Sequence, residues 1–502
     1  MTEPATEPVT AAVTAAVTAA VTRPSTSAPA PEAHGIPSAA LLDLLDALEG
    51  GGLDPHGLVV ARGGVPVVEA SWAPHDAPLP GLVYSVSKTF TALAVGHLVA
   101  EGRLAVDDLV GDVLGLPDPT GLTVRHLLTM NTGHTSPQLA EIGFDLPRLL
   151  ATPPEHAPGT HFAYSSPASR ALSSVVTAVT GERLLAYLRP RVLDPLGVAH
   201  PWWVEIDGLD QGFSGLHVTT AEMARLAVAM ADGGRYAGVT VIPPAWMAAM
   251  REPWSDTAEH GGAPGVAGGE PPDWSRGYGY QVWTSRHGFR ADGAYGQFAI
   301  AVPERGLAIG YRGATRGAQP TLDAIWAFVE RTGDASTPLP ADPDSAARLA
   351  DRLATLDAWP GILGRELDPE STMQDVISPV PWTLHAVRAG SPHTWRLDVG
   401  GQPVPVAEDR WTTRVLPWPH AAEGSGPAAG PVLDPVLVVS TRGRALPDGT
   451  VEVQVVVPTS PHRLVATGRP GERLALAWHT TPLWHPSLST LVVPAAHAAT
   501  FP

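Results

Sequence analysis

The stretch Tyr84-Ser85-Val86-Ser87-Lys88-Thr89-Phe90 decides how the rest of the chain is interpreted. It contains the only lysine among 502 residues, because the other 31 of the 32 Lys and Arg residues are all Arg. Arginine replaces lysine wherever a permanent cation is enough, but it cannot release its proton at any working pH. The single lysine therefore indicates a position that needs a titratable amine.

The pattern after Lys88 predicts a helix that ends at Gly102, with these apolar residues at helical spacing: Phe90, Leu93, Ala94 and Leu98. Ser85 and Lys88 are three residues apart, so a helix places them on one face. At the helix N-terminus, unpaired N–H groups and the positive dipole end favour an oxyanion and disfavour a protonated amine. A serine nucleophile with a lysine base needs this environment. The alternative is that Ser85 only caps the helix and that Lys88 is a solvated charge.

Composition narrows the function classes. The net charge of −18, the pI near 5.4 and the lack of a basic cluster argue against binding to nucleic acid or to an anionic membrane surface. The chain has no cysteine, and no run approaches the ~20 apolar residues of a membrane span. The sequence also lacks His-Glu-x-x-His and Gly-x-Ser-x-Gly, so we expect no metal, no cofactor and no α/β-hydrolase.

Residues 1–35 form a low-complexity leader with Val-Thr-Ala-Ala repeats and a Ser/Ala/Pro stretch. The first ten residues contain Glu3 and Glu7 and no basic residue, so the basic start of a secretion signal is missing. We interpret the leader as disordered, with an export signal as the alternative. We therefore expect a cytoplasmic protein.

Residues 36–335 are predicted to form one α+β domain. Apolar runs around Arg62-Gly63-Gly64 predict an early hairpin, and runs around residues 303–306 predict a late one. The run Tyr278 to Thr284 predicts a further strand before the late hairpin. Helical patterns fill the middle, and a helix closes the domain, so its two ends should meet in an antiparallel sheet. Residues 336–502 begin with a linker and a helix, and continue with short β-like runs that predict a small all-β domain, either sandwich or barrel.

With Tyr164-Ser165-Ser166 placed in the helical region, the chain resembles the serine hydrolases related to class C β-lactamases, penicillin-binding proteins and their esterase relatives. The resemblance covers about residues 36–335 and implies the β-lactamase-like fold. The first family motif is Ser-x-x-Lys at a helix start, which is matched at Ser85 to Lys88. The second is Tyr-x-Asn, and the third is Lys- or His-x-Gly on a late strand.

The resemblance implies a role for each matched residue. Ser85 would be the nucleophile, Lys88 its base and Tyr164 the relay of the proton to the leaving group. The backbone N–H groups of Ser85 and Ala294 would form the oxyanion hole. His134, in the loop after Asn131, is a further candidate for lining the cleft, and a structural or exposed histidine is the alternative.

The chain departs from the family pattern at two places. Ser166 stands where the second motif has Asn. The third motif aligns best with Ala291-Asp292-Gly293, so Ala291 replaces the cation, and Arg290 beside it should face the opposite side of the strand. We include Ser166, Asp292, Gly293 and His134 as candidate substrate-binding residues.

These features predict a serine hydrolase that acts through an acyl-enzyme, with a small-molecule ester or amide as its substrate. A missing cation disfavours the carboxylate that β-lactams carry, so we expect an esterase or amidase with a neutral or cationic substrate. The alternatives are a β-lactamase, a D-amino-acid peptidase or a non-catalytic binding protein on the same fold. The oligomeric state is not predicted.

Overall fold

A computed structural model describes residues 30–76, 78–259, 271–333, 337–364, 367, 374–387, 391, 394–419 and 432–498. In the part of the chain up to residue 333, the strands are β1 (Pro55–Arg62), β2 (Val65–Ser71), β3 (Gly81–Leu82), β4 (Trp202–Trp203), β5 (Glu205–Ile206), β6 (Leu209–Asp210), β7 (Leu216–Val218), β8 (Arg235–Tyr236), β9 (Val239–Thr240), β10 (Trp283–Thr284), β11 (Phe289–Gly293), β12 (Gln297–Val302) and β13 (Leu307–Gly313). The α-helices are α1 (Ser38–Gly50), α2 (Val86–Ala100), α3 (Val110–Leu114), α4 (Val124–Leu128), α5 (Ser136–Ile142), α6 (Leu146–Ala151), α7 (Ser166–Thr180), α8 (Leu184–Leu188), α9 (Thr220–Ala231), α10 (Pro244–Arg251) and α11 (Gln319–Arg331).

The main sheet has six strands in the order β10-β11-β12-β13-β1-β2. The early hairpin β1–β2 and the late hairpin β12–β13 join where β1 pairs antiparallel with β13. The two ends of the domain therefore meet in one antiparallel sheet, which confirms the predicted α+β architecture.

The two faces of the sheet carry side chains of different size. One face has large residues, including Phe298, Ile300 and Ile309, and these pack in one core with α1 and α11. The other face has small residues such as Ala299 and Ala301, which share a core with the helical region. Gly310 lets α9 approach closely, because a Cβ there would lie 2.5 Å from the Thr220 carbonyl oxygen. Helix α2, which follows Ser85, belongs to this second core and therefore lies on the small-residue side of the sheet.

The predicted strand over residues 278–284 is wrong for most of its length, because only Trp283–Thr284 is a strand. Gln281 has a φ of 58°, outside the extended region. The backbone folds back on itself there, since the Gly279 N–H donates to the Val282 carbonyl oxygen at 2.9 Å. A tight loop therefore stands in place of a long edge strand, and it is stabilised by local hydrogen bonds.

After residue 333, the helices are α12 (Pro343–Leu353), α13 (Trp359–Ile362), α14 (Gln374–Ile377) and α15 (Ala495–Ala498), and the strands are β14 (Trp382–Ala386), β15 (Trp395–Val399), β16 (Gln402–Val406), β17 (Thr412–Pro417), β18 (Pro435–Ala445), β19 (Val451–Val456), β20 (Arg463–Gly468), β21 (Ala475–Trp478) and β22 (Val493–Pro494). One sheet has the order β14-β15-β16, and the second has β17-β18-β19-β20-β21, with β22 paired to β18. Every pairing in both sheets is antiparallel. Side chains of both sheets, including Leu397 and Val453, share one core. This all-β region is called the C-terminal domain below.

Residues beyond both predicted limits of the α+β domain, 36 and 335, make contacts with it. Residues 1–29 of the predicted leader lie outside the described residues, but Pro31–His34 form a 3-10 turn, and buried Glu32 accepts a hydrogen bond from the Ser38 N–H at 2.8 Å. At the other end, Leu349 and Ile362 belong to the core that α1 shares with the sheet. Helices α12 and α13 therefore pack with the α+β domain, whereas the sequence prediction placed them in the C-terminal region. Within the described ranges, no helix has the length and apolar character to cross a membrane.

Candidate active site

Ser85 lies at the N-cap of α2, directly after Tyr84, whose φ is 47°. This left-handed conformation is uncommon for a residue with a bulky side chain, and it makes a sharp turn before the helix. Because Lys88 follows one helical turn later, the Lys88 Nζ and the Ser85 Oγ are only 2.9 Å apart. The structure therefore brings together the two residues that the sequence paired by spacing.

Lys88 is 1% exposed, and its Nζ donates a 2.8 Å hydrogen bond to the carbonyl oxygen of Phe213. Burial lowers the pKa of the Lys88 amine to about 7, and the negative charge of Asp292 opposes this effect. A neutral amine has two N–H bonds and one lone pair. One N–H can stay on the Phe213 carbonyl while the lone pair accepts the proton of the Ser85 hydroxyl.

Tyr164 is the third residue of the candidate active site, beside Ser85 and Lys88. Its side chain hydrogen-bonds with Ser85, and the Lys88 Nζ lies 4.9 Å from the centre of its ring. Trp283 stacks on the same ring with a centroid distance of 5.7 Å. Burial raises the pKa of the Tyr164 hydroxyl above its ordinary value, and Asp292 adds to this effect. Tyr164 therefore holds its proton at neutral pH and is placed to donate it.

The candidate oxyanion hole depends on a close approach between β11 and the Ser85 turn. A Cβ on Gly293 would lie 2.2 Å from the Val83 carbonyl oxygen and 3.3 Å from the Ser85 nitrogen. Only glycine fits there without a shift of the backbone. Ala294 follows at once, and among the described residues neither its N–H nor that of Ser85 donates a backbone hydrogen bond. Both predicted donors are therefore available on neighbouring segments.

The third-motif segment contains an ion pair that the sequence did not predict. Ala291 is fully buried in the core on the helical side of the sheet. Arg290 and Asp292 share the opposite face, and the Arg290 Nε donates to the Asp292 Oδ2 at 2.8 Å. Arg290 also donates to the Ser285 hydroxyl at 2.7 Å and contacts the Trp274 ring. Asp292 is close enough to affect the pKa of both Lys88 and Tyr164, but its charge is balanced by Arg290.

Two other candidates lie in different surroundings. Ser166 is the first residue of α7, directly after the N-cap Ser165 and two residues from Tyr164. His134 is fully buried; its Nδ1 contacts the Thr132 hydroxyl at 3.1 Å, and its Nε2 contacts the Thr152 carbonyl oxygen at 2.9 Å. The geometry therefore gives His134 a structural role inside its loop, contrary to the expectation that it lines the cleft.

Sequence reasoning missed a set of aromatic residues beside the lysine. Phe213 lies with its ring centre 5.8 Å from the Lys88 Nζ, and Phe144 stacks on it at 4.5 Å. Trp484, from the C-terminal domain, contacts both rings edge-on at 5.7 and 5.6 Å. No motif marks these positions, because they are brought together only by the fold. Among the described residues, no group of three or more His, Cys, Asp or Glu is arranged to hold a metal ion.

The family model named Beta-lactamase matches residues 25–327, which is more than half of the chain. The chain belongs to the beta-lactamase family. The match confirms the resemblance of this chain to these serine hydrolases.

Several solved structures are similar to this chain. One is the octameric penicillin-binding protein homologue from Pyrococcus abyssi, with 15% identity and a TM-score of 0.47 over 88% of this chain and 99% of that one. A family VIII carboxylesterase has 19% identity and a TM-score of 0.44 over 59% of this chain and 99% of its own. A penicillin-binding protein homologue from Caulobacter crescentus has 20% identity and a TM-score of 0.46 over 59% and 99%, respectively.

Proposed function

We propose that this beta-lactamase-family protein is an esterase or amidase that acts through an acyl-enzyme on Ser85. The observation that carries the proposal is the buried Lys88 amine, 2.9 Å from the Ser85 hydroxyl and with a pKa lowered to about 7. At neutral pH, a large fraction of this amine is neutral and can act as a base. A permanently charged or solvent-exposed lysine could not do so.

The proton path follows from the hydrogen bonds. Ser85 Oγ attacks the substrate carbonyl carbon while its proton moves to the Lys88 Nζ, and the Ser85 and Ala294 N–H groups stabilise the oxyanion. Tyr164 donates its proton to the leaving alcohol or amine and regains one from Lys88, so the group returns to its starting charge. Water then attacks the acyl-enzyme with the same groups acting in reverse, which releases the acid.

The charges beside the nucleophile support a substrate without a carboxylate. Ala291 provides no cation, and the guanidinium of Arg290 is fully buried and bound to Asp292. A substrate carboxylate placed here would gain no new partner, and the Asp292 charge, which is close enough to affect the pKa of Lys88, would repel it. Neutral or cationic esters and amides avoid this cost, whereas β-lactams do not.

The aromatic residues support an apolar group on that substrate. Trp484 is 38% exposed, although it contacts the ring of buried Phe213, which lies beside the Lys88 amine. A ring or an alkyl chain placed against Trp484 would bury apolar surface, worth about 25 cal/mol per Å². We therefore propose an apolar acyl or leaving group.

A cytoplasmic location stays a prediction, which fractionation of the producing cells checks.

The test combines covalent labelling with substrate profiling. A fluorophosphonate probe should label wild-type protein at Ser85, as located by peptide mass spectrometry, and should leave Ser85→Ala unlabelled. Short-chain p-nitrophenyl esters should be hydrolysed faster than a chromogenic cephalosporin. Folded wild-type protein that is neither labelled nor active on esters and amides would favour a non-catalytic binding protein. Faster turnover of the cephalosporin would instead favour a β-lactamase.

A further inference from the structure

Two tyrosines flank the two donors of the candidate oxyanion hole. Tyr84 directly precedes Ser85, and Tyr295 directly follows Ala294. Both have a positive φ, 47° for Tyr84 and 66° for Tyr295, in a region that bulky residues rarely adopt. Such conformations are strained and persist only where surrounding contacts impose them. The contacts that hold these two residues therefore matter for the geometry of the hole.

Those contacts come from the C-terminal domain. The Tyr84 hydroxyl lies 2.6 Å from the His462 Nε2, and the Tyr295 hydroxyl donates to the Thr481 carbonyl oxygen at 2.7 Å. The two tyrosine rings pack on each other with a centroid distance of 5.4 Å. His462 contacts both rings edge-on, at 5.8 Å from Tyr84 and 5.0 Å from Tyr295. One histidine thus joins the residues next to both donors.

The hydrogen bonds also fix the form of this histidine. Its Nδ1 lies 2.8 Å from the Thr480 carbonyl oxygen, which can only accept, so the ring proton is on Nδ1. The Nε2 is then the acceptor, and the Tyr84 hydroxyl donates to it. Burial lowers the pKa of His462 to about 3, so the ring stays neutral at any working pH. A second bond between the domains lies close by, where the Leu82 N–H donates to the Thr459 carbonyl oxygen at 2.9 Å.

We propose that the C-terminal domain is a working part of the active site, in which His462 is a positioning residue that holds Tyr84 and Tyr295 and thereby fixes both oxyanion-hole N–H groups. This inference rests on the proposed acyl transfer at Ser85. His462 touches neither the nucleophile nor the base, and it acts through the tyrosines. The all-β domain is then required for turnover and is not a passive appendage.

The test removes single contacts and follows kcat and KM separately. Tyr84→Phe deletes only the hydroxyl, and His462→Leu deletes only the acceptor ring. Loss of an oxyanion donor costs about 10²–10³ in rate, so displacing the donors should lower kcat for a p-nitrophenyl ester roughly ten- to a hundredfold, with KM within about twofold. Tyr280→Phe is the control, because Tyr280 is also a buried residue and its hydroxyl accepts a hydrogen bond from Arg125, away from the two N–H donors.

Two further measurements separate positioning from a merely structural role. His462→Gln can still accept a hydrogen bond and should recover part of the kcat that His462→Leu loses. The double variant Tyr84→Phe/His462→Leu should lose little more than either single variant, because both remove the same link. Thermal unfolding identifies the variants that remain folded, and Tyr84→Phe alone suffices if His462→Leu does not fold.

The outcomes distinguish this inference from the proposed function. If wild-type protein hydrolyses the ester and folded Tyr84→Phe has a kcat within twofold of it, the positioning role is wrong while acyl transfer stands. A loss of kcat in Tyr280→Phe equal to that in Tyr84→Phe would also overturn it. If wild-type protein shows neither turnover nor labelling of Ser85, both proposals fall together.

Discussion

Two buried basic residues, Lys88 and Arg290, differ in side-chain chemistry and in their hydrogen-bond partners. Lys88, on α2, has a carbonyl oxygen and a hydroxyl as its hydrogen-bond partners, and burial lowers its pKa to about 7. Arg290, on β11, has the Asp292 carboxylate at 2.8 Å and a hydroxyl. Both side chains are almost fully buried.

The comparison shows that burial alone does not decide what a cation does. Without a carboxylate at hydrogen-bond distance, the amine is destabilised in its charged form and becomes a base near neutral pH. Arginine holds its proton at any working pH, so the Arg290 guanidinium cannot act as a base and instead pairs with the Asp292 carboxylate. Variants at Lys88, at Gly293 and at the Arg290–Asp292 pair test this difference.

The largest effect is expected from Lys88→Met, which keeps the shape of the side chain and removes the amine. Ester turnover should fall by about 10²–10⁴, the usual contribution of a general base. Initial rates with a p-nitrophenyl ester measure this, and circular dichroism checks that the variant is folded. Near-native turnover in folded Lys88→Met would rule out a role for the amine as base.

The same variant should alter how stability depends on pH. Because the pKa of Lys88 is about 7 in the folded protein and near 10.5 when exposed, the unfolded chain binds more protons between these values. Wild-type stability relative to Lys88→Met should therefore rise with pH from about 7 to about 10, by at most about 1.4 kcal/mol per pH unit. Urea denaturation across this range measures the difference, and a constant difference would contradict the lowered pKa.

The sequence predicts the pairing of Lys88 with Ser85, but it does not predict the ion pair between Arg290 and Asp292. Ser85 and Lys88 are one helical turn apart, so local geometry alone brings them together. Strand alternation places Arg290 and Asp292 on the same face of β11. Which face of the sheet this is could not be assigned without the neighbouring strands. The sequence placed Arg290 opposite Ala291, which the structure bears out, and it left the ion pair unrecognised.

Contacts between distant segments were beyond the sequence altogether. His462 and Tyr84 are 378 residues apart, and no spacing rule connects the residue before β20 to the turn before α2. The same holds for Trp484 and Phe213. The architecture was predictable because hydrophobic periodicity and turn residues are local signals, whereas the strand predicted over residues 278–284 failed where Gln281 departs from extended geometry.

On the arginine side, Asp292→Ala should destabilise the protein by about 3–5 kcal/mol, because it leaves a buried guanidinium without its counter-charge. The double variant Arg290→Met/Asp292→Leu should cost clearly less, since it removes both members of the ion pair. Urea denaturation at pH 7 compares the two. Equal losses of stability would show that packing, and not charge pairing, dominates at this pair.

The two regions meet at Gly293, so a substitution there should disturb their spacing. Gly293→Ala should lower kcat by about 10²–10³, because its Cβ would contact the Val83 carbonyl and the Ser85 nitrogen and would push β11 away from the oxyanion hole. Gly317→Ala is the matched control, since a Cβ there meets nothing within 4 Å. If both variants retain wild-type kcat, the close approach of β11 is not needed for turnover.

The smallest effect links the two cations directly. Asp292 raises the pKa of Lys88, so Asp292→Asn should lower that pKa and move the acidic limb of kcat/KM to a lower pH than the wild-type limb near pH 7. The amide keeps the size of the side chain and can still accept a hydrogen bond from Arg290, which limits loss of folding. Asp46→Asn, which removes an exposed carboxylate on α1, is the control and should leave the limb in place. Profiles between pH 5 and 9 with a neutral ester, whose own charge does not change, measure the shift. A limb that moves to higher pH, or moves equally in the control, would mean that Lys88 is not the group that titrates, and the contrast between the two buried cations would then lose its basis.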